Sequence, residues 1–170
     1  MRAHTANLHP LQFNPGTFGT GRFHPFRRDD GQIVPTLYGA ERFEGALSES
    51  VFRCVPRRGP GRAIRRKALE AWRVSVLEPL RDLNLTQLSD PGLAKYPRTA
   101  RWAGHLHTNG CDGLLWVSRQ YDRVLAIVLF GDRVASADLR LNQPALSLHA
   151  GPGFLATQAS AEAAGILIIE

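Results

Sequence analysis

Apolar residues recur at helical spacing in one early segment of the chain. In residues 40–52 they follow three- and four-residue steps, which place them on one helical face: Phe43, Ala46, Leu47 and Val51. Glu49 lies off that stripe, at the flank of the packed face. Residues 1–36 are instead rich in glycine, proline, histidine and arginine and show no helical period, so they predict loops and short extended pieces.

The later part of the chain is dominated by strand-like runs. "GLLWVS" and "VLAIVLF" are strongly apolar and predict two strands around the turn "RQYDR". "RVSVLEPLRDLNL", "PALSLH" and "GILIIE" predict further strands, with "AGPGFLATQASAEA" as the connection between the last two. The segment "PRTARWAGHLHTNG" predicts a helix that ends at Asn109 and Gly110.

The predicted strands outnumber the helices and do not alternate with them regularly. No internal repeat and no change in composition divides the chain. The sequence therefore predicts an α+β fold, a single domain over residues 1–170, with a mixed or antiparallel central sheet flanked by helices.

The composition is that of a soluble globular protein, with 44% hydrophobic and 21% charged residues. No apolar run approaches the ~20 residues that a membrane-spanning helix needs. The amino-terminal "MRAHTANLHP" lacks the apolar core of a secretory signal. Cys54 and Cys111 form no CxxC pair, so neither a disulfide framework nor a zinc site is indicated. We expect a cytoplasmic protein with two free thiols and no membrane association.

The net charge of +6 is concentrated in the first half of the chain. Residues 1–73 carry 13 Lys and Arg against 6 Asp and Glu, whereas residues 74–170 carry 8 against 9. Such a basic half attracts nucleic acid, the phosphates of a small ligand or an acidic partner protein. The most basic run, residues 53–67, contains no aromatic residue for stacking bases and no DNA-binding motif, so we interpret it as a solvated loop and do not expect direct nucleic-acid contact.

Two arginines stand at positions suited to an anionic ligand. Arg22 lies in the glycine-flanked stretch "GTGRFHPF", where the backbone can approach a ligand closely and the planar guanidinium can grip phosphate oxygens. Arg2 lies near the start of the chain. Taken singly, each is equally compatible with an ordinary surface arginine.

Three further side chains complete the candidate chemistry. Tyr38 ends an apolar run and can either stack on an aromatic ligand or fill the core. Glu49 is a carboxylate that a purely core-filling helix would not need. Ser118 follows the strand "GLLWV", but the sequence around it lacks the glycines of a G-x-S-x-G nucleophile elbow, which argues against a triad hydrolase.

The histidines before the Asn-Gly turn raise the question of a metal site. His105 and His107 are two residues apart on a predicted helix and face different directions, unlike a metal-binding pair spaced by four residues. Cys111 and Asp112 follow closely, yet the spacing does not match a metal-ligand motif. We expect no metal site here.

The order of these residues resembles that of the RES-domain proteins, a family named for an arginine, a glutamate and a serine. The likeness runs from Arg2 to about Phe130, and the matching pieces are "RAH", "FNP" with "GRFHP", "TLYGA" with "ALSES", "RWAGHLH" and "CDGLLWVSRQYD". The resemblance implies an ADP-ribosyltransferase-like fold and a toxin of a bacterial toxin–antitoxin system that destroys NAD. It also implies an Xre-like antitoxin as partner.

The resemblance assigns roles to five residues. Arg2, Arg22, Tyr38 and Ser118 correspond to the family's NAD-pocket residues, and Glu49, Arg22 and Ser118 to its catalytic ones. No metal or cofactor is implied beyond NAD as the substrate.

The residue types fit cleavage of the nicotinamide–ribose bond, because a carboxylate stabilises the positive charge that develops on the sugar. Water as acceptor gives hydrolysis, inorganic phosphate gives phosphorolysis, and a macromolecular acceptor gives ADP-ribosyl transfer. The sequence leaves these three open. Two alternatives to an active enzyme also stay open. The protein is either a basic module that binds nucleic acid or a partner without catalysis, or a relative of the toxins whose site is occluded. Exposed strand edges add self-association as a further expectation.

Overall fold

The computed structural model describes residues 1–19, 21–56, 59, 61–88, 96–118 and 124–170, with the backbone alone at 96 and 97. The helices are α1 (Phe43–Ser48), α2 (Tyr96–Thr108) and α3 (Gly151–Ala163), and short 3₁₀ turns occupy Arg66–Leu69 and Ser136–Asp138. The strands are, in chain order, β1 (Arg2–Thr5), β2 (Thr36–Ala40), β3 (Ala63–Arg65), β4 (Trp72–Ser75), β5 (Leu77–Pro79), β6 (Leu85–Leu88), β7 (Gly113–Val117), β8 (Leu125–Phe130), β9 (Leu139–Leu141), β10 (Leu146–Ser147) and β11 (Leu167–Ile169). The turn predicted at 119–123 lies outside the described residues.

The central sheet has the strand order β2-β8-β7-β6. β8 runs antiparallel to both β2 and β7, whereas β6 runs parallel to β7. The register places Tyr38 opposite Val128 and Trp116 opposite Ala126. The prediction of an α+β fold with a mixed central sheet is therefore confirmed.

A second, antiparallel sheet of order β1-β4-β10 is tied to the central sheet at the start of the chain. The amino group of Met1 donates to the carbonyl of Ala40, and the Ala40 N–H donates back to the Met1 carbonyl at 2.7 Å. A side chain at position 39 would approach the Met1 carbonyl to 2.9 Å, so Gly39 permits this close contact. As a result, β1 and β2 converge. The remaining pairs are β5 with β9, antiparallel, and β3 with β11, parallel.

An aromatic core anchors the irregular segment 21–27 beneath the central sheet. Trp116 is fully buried, and the edge of its ring meets Phe23 with a centroid distance of 4.8 Å. Phe26 makes a similar contact with Phe130 at 5.1 Å. Because large buried aromatic rings dominate core energetics, this packing fixes a segment that has little regular structure of its own.

A separate core lies beneath α1 and α3, where Leu47, Leu69, Val74 and Leu148 are buried together. Three residues of the predicted apolar stripe, Phe43, Leu47 and Val51, face this core, whereas Ala46 packs in a separate cluster. The helix is shorter than predicted. It ends at Ser48, and the Phe52 N–H donates to the Leu47 carbonyl at 2.9 Å across the turns that follow. The early end of the helix sets Glu49 at its carboxyl terminus.

The third helix is a correction to the sequence prediction, which treated "AGPGFLATQASAEA" as a connection. This segment forms α3, with a proline in its first turn. Its buried positions include Thr157 and Ser160, whose hydroxyls donate to backbone carbonyls one turn earlier at 2.7 and 2.8 Å. Small polar and apolar residues alternate here, so no apolar stripe marks the helix in the sequence. By contrast, α2 ends before Gly110, whose φ is +89°, as predicted.

Among the described residues, none of the helices has the length and apolar character needed to cross a bilayer.

Two glycine substitutions should have opposite effects on stability, because only Gly113 lies where β7 packs closely on β8. A Cβ at Gly113 would lie 2.3 Å from the Val128 carbonyl oxygen, whereas one at Gly104 in α2 would meet no atom nearer than 3.6 Å. We expect Gly113→Ala to lower the free energy of unfolding by about 2 kcal/mol, through overpacking against a fixed strand. Gly104→Ala should raise it by ~0.5–1 kcal/mol, since alanine is the better helix former.

Urea unfolding of the two variants beside the unsubstituted protein measures both effects. Equal stability of the two variants would contradict the observed approach of β7 to β8.

Candidate active site

A cleft of about 510 Å³ opens where β1 and β2 meet the end of α1. Its lining comes from five parts of the chain: Arg2 and His4 of β1, Thr36 and Tyr38 of β2, Asn14 and Phe18 of the loop before β2, Glu49, Arg53 and Cys54 after α1, and Trp72 of β4. Three of the sequence-predicted residues, Arg2, Tyr38 and Glu49, therefore share one cleft.

Ser118 orients the carboxylate of Glu49. The serine is fully buried immediately after β7, and its N–H donates to the Val124 carbonyl at 2.8 Å. Its hydroxyl donates to Glu49 Oε1 at 2.6 Å, a short bond typical of a hydroxyl and a carboxylate. This hydrogen bond orients the Glu49 carboxylate and engages one of its two oxygens, Oε1. The fold thus joins the predicted glutamate and serine, which lie 69 residues apart.

The hydroxyl of Tyr38 is held by two neighbours from the segment 21–24. It accepts the Phe23 N–H at 2.9 Å and lies 3.1 Å from Nδ1 of His24. A Cβ at Gly21 would lie 2.4 Å from the His24 ring and 3.0 Å from the Tyr38 hydroxyl. The glycine is therefore required for the histidine to reach the tyrosine.

Asn14 determines the tautomer of His24. Its Oδ1 accepts the N–H groups of Gly16 and Phe18, so its Nδ2 is the atom that faces Nε2 of His24, at 3.1 Å. An amide nitrogen only donates, so Nε2 accepts and Nδ1 carries the proton towards Tyr38. Tyr38 then accepts two hydrogen bonds and keeps its own O–H available as a donor.

Burial keeps both members of this pair neutral. It raises the pKa of the Tyr38 phenol far above its usual value, an effect that the nearby charges of Arg53 and Arg22 oppose. It also lowers the pKa of His24, and the charge of Arg53 acts in the same direction. Tyr38 is accordingly a neutral hydroxyl at the edge of the cleft.

Arg2 and His4 are buried in β1 although both are polar. Arg2 is 7% exposed and donates to the Pro10 carbonyl at 2.7 Å. Burial lowers the pKa of Arg2 to about 10, which leaves it positively charged at neutral pH. His4 contacts the Thr5 carbonyl through Nδ1 and the Ser75 hydroxyl through Nε2, and burial lowers its pKa. The pairing of β1 with β4 thus holds the positively charged Arg2 against the cleft.

Arg22 lies beside the cleft and is not among the described residues that line it. It is half-buried, and its carbonyl accepts the hydroxyl of Thr99 in α2. Its guanidinium is near enough for its charge to act on Tyr38.

The sequence interpretation missed Arg53, which it placed in a solvated loop. Arg53 is exposed, lines the cleft and acts electrostatically on both Tyr38 and His24. It follows Glu49 by four residues, a spacing that brings side chains to one side of a helical turn. That spacing, applied to the end of α1, is the feature of the sequence that could have identified it.

The two histidines of α2 face different surroundings. His105 is exposed, whereas His107 is buried with Nε2 3.0 Å from Asp132 Oδ2. Within the described part of the chain, no three or more His, Cys, Asp or Glu side chains are placed to hold a metal ion.

Comparisons with known proteins agree with this architecture. The family model of the RES domain matches residues 1–150, so a single domain spanning residues 1–170 stays a prediction. A chain in the crystal structure of the M. tuberculosis MbcT-MbcA toxin-antitoxin complex has a similar fold. Its TM-score is 0.66 at 20% sequence identity, over 94% of this chain and 87% of that one. No curated protein matches the sequence.

Two of the buried histidines, His4 and His24, make stability depend on pH. Their pKa values are lowered by folding, so the unfolded chain binds more protons at acidic pH. The stabilisation is present above the unfolded pKa of about 6.5 and is lost as the pH falls from there through the lowered folded values. We expect the free energy of unfolding, measured in urea, to decrease between about pH 7.5 and about pH 5.5.

His4→Gln and His24→Gln should each reduce this decrease, because glutamine does not titrate. An identical pH dependence in both variants and the unsubstituted protein would count against the burial of neutral histidines.

Proposed function

This chain belongs to the RES-domain family, and on that premise we propose that it is a toxin that cleaves NAD at the nicotinamide–ribose bond. The proposal rests on one observation above all. A carboxylate, that of Glu49, is oriented by the buried hydroxyl of Ser118 in a cleft that also holds Arg2 and Tyr38.

The chemistry requires a negative charge beside the sugar. When the bond between ribose C1′ and the pyridinium nitrogen breaks, the bonding electrons stay with the nitrogen and nicotinamide leaves neutral. The ribose is left with oxocarbenium character, and a carboxylate fixed beforehand stabilises that charge as it develops. We assign this role to Glu49 and the orientation of its carboxylate to Ser118.

The cationic residues of the cleft suit the diphosphate of NAD. Guanidinium groups pair with phosphate oxygens through two parallel hydrogen bonds and stay charged at neutral pH. Arg2 is fixed by its strand and Arg53 lines the same cleft. The charge of Arg22 acts on Tyr38 from outside the cleft lining. We assign binding of NAD to Arg2, Arg22 and Tyr38, as the family resemblance implies, and add Arg53.

The acceptor completes the reaction. Attack by water on C1′ forms the new C–O bond, releases a proton and gives ADP-ribose. Attack by inorganic phosphate gives the phosphorylated sugar instead. A basic cleft accommodates phosphate as co-substrate. Product identification with and without phosphate distinguishes the two reactions, and labelled protein products would reveal ADP-ribosyl transfer.

A toxin that consumes NAD needs an inhibitor in the same compartment. We propose a cytoplasmic location and an Xre-like antitoxin as partner. The structurally similar M. tuberculosis chain was crystallised in a toxin–antitoxin complex, which supports the partner class. Homo-oligomerisation stays a prediction.

The first test removes the charge of Glu49 without changing its shape. We expect Glu49→Gln to reduce the rate of NAD cleavage by about 100-fold or more, the size of effect seen when one preorganised electrostatic group is lost. Chromatography of NAD and nicotinamide after incubation measures the rate.

Glu44→Gln is the matched control, because Glu44 lies in the same helix and is not among the residues that line the cleft. It should cleave NAD at the unsubstituted rate. Full activity in Glu49→Gln would remove the glutamate from the mechanism.

A second test compares the arginines. Loss of a cation facing the diphosphate should weaken substrate binding more than it slows the chemical step, so we expect Arg53→Ala and Arg22→Ala to raise the KM for NAD. An increase of about tenfold for Arg53→Ala corresponds to ~1.4 kcal/mol. The increase for Arg22→Ala should be smaller, since Arg22 does not line the described cleft.

Steady-state kinetics at two salt concentrations give the required values, with Arg27→Ala as the control on the outer surface. An unchanged KM in Arg53→Ala would contradict its assignment.

A further inference from the structure

The outer side of α2 exposes a tryptophan among cationic residues. Trp102 is 63% exposed, a large fraction for an apolar side chain of this size. Arg98 lies four residues before it and His105 three residues after it, so the three share one side of the helix. Both are exposed, as is the adjacent Arg101. We call these four residues the α2 face.

The orientation of α2 is fixed from its inner side. Thr99, Ala103 and His107 recur every four residues and are buried. The Thr99 hydroxyl donates to the Arg22 carbonyl, and Nε2 of His107 lies 3.0 Å from Asp132 Oδ2. Rotation of the helix to bury Trp102 would break these contacts, so the exposure of the tryptophan is a property of the fold.

The positive charge of the α2 face is not balanced by its own segment. The sequence from residue 91 to residue 111 contains no Asp or Glu, although it contains Lys95, Arg98 and Arg101. In the described part of the chain, no carboxylate forms an ion pair with Arg98 or Arg101. A cationic surface of this kind attracts acidic groups.

A cavity of about 620 Å³ adjoins the α2 face, between α2 and the segment 25–29. Arg101 and His105 belong both to its lining and to the α2 face. The exposed Pro25 and the half-buried Ala100 add apolar surface, and Asp29 is the acidic residue among the described residues that line it. The face therefore joins a concave surface to exposed tryptophan and arginine, two residue types that dominate the energetics of protein–protein interfaces.

We propose that the α2 face is a docking surface for an acidic segment of a partner protein. Carboxylates of that segment would pair with Arg98 and Arg101, and its apolar side chains would cover Trp102. Burial of the tryptophan contributes affinity, and the charges select the partner. None of the residues of the α2 face or of the adjoining cavity lines the cleft of the candidate active site. The inference therefore goes beyond the proposed function and does not depend on cleavage of NAD.

A nucleic acid fits this surface less well than an acidic polypeptide. Single strands are held by successive aromatic side chains along a continuous basic groove. The α2 face offers one aromatic side chain, that of Trp102, on a helix only about 20 Å long. An acidic polypeptide carries apolar side chains as well as carboxylates, so it can contact the tryptophan and the arginines together.

Acrylamide quenching of tryptophan fluorescence tests the docking, because Trp102 is the most exposed of the three tryptophans. Trp116 is fully buried and Trp72 is half-buried. The probe is a synthetic peptide of glutamate and leucine, about as long as α2. We expect it to protect Trp102 from quenching. Peptides with serine for every leucine, or glutamine for every glutamate, should bind about tenfold more weakly or worse.

Two double variants locate the binding site. Arg98→Glu with Arg101→Glu should reduce the affinity for the glutamate–leucine peptide by about tenfold or more, because like charges then face each other. Arg65→Glu with Lys67→Glu is the matched control, since it changes the net charge equally at exposed residues of β3 and the turn after it. The control should bind the peptide as the unsubstituted protein does. Both double variants should cleave NAD at the unsubstituted rate.

Several outcomes would overturn the inference. One is a peptide that does not protect Trp102, and another is an equal loss of affinity in the two double variants. Stronger protection by single-stranded DNA than by the peptide would make the α2 face a nucleic-acid surface instead. In sedimentation, a self-associated protein that becomes monomeric in the Arg98→Glu, Arg101→Glu variant would mean that a second copy covers the face. Absence of NAD cleavage in the unsubstituted protein would remove the proposed function alone and leave this inference standing.

Discussion

The hydrogen bond from Ser118 to Glu49 is the interaction on which the candidate site depends. It joins the end of β7, inside the central sheet, to the end of α1, which packs on a different core. Neither partner could hold this position alone, since the serine needs the strand pairing and the glutamate needs the early end of the helix. In a buried environment such a contact is stronger than in water and permits little reorientation. The fold thereby fixes a carboxylate before any ligand binds.

The hydrogen-bonded side chains that hold Tyr38 are also positioned before any ligand binds. Asn14 orients His24, and His24 orients the tyrosine hydroxyl, with every member neutral and most of their hydrogen bonds made within the protein. Burying these groups is unfavourable in itself, and the hydrogen bonds offset that loss. As a result, the Tyr38 hydroxyl is a fixed hydrogen-bond donor at the cleft. A site with preorganised dipoles reorganises little during a reaction, which is the main source of electrostatic catalysis.

Much of the scaffold follows from local sequence. The runs "GLLWV" and "LAIVLF" form strands, as expected for short continuous apolar runs that are buried in a sheet. The end of α2 follows from the Asn109-Gly110 pair. The mixed sheet was also predictable from the irregular order of strands and helices. Of the five residues named from the sequence, Arg2, Tyr38 and Glu49 line the cleft and Ser118 bonds to Glu49, whereas Arg22 stands beside it.

The sequence by itself determined the strand pattern, the basic first half and the order of the candidate residues, because these depend on near neighbours along the chain. It could not show α3, whose small residues carry no apolar stripe and become helical by packing. Nor could it show that Arg53 turns into the cleft or that Trp102 stays exposed on α2. Burial and hydrogen-bond partners are set by segments far apart in sequence, so only the tertiary structure decided them.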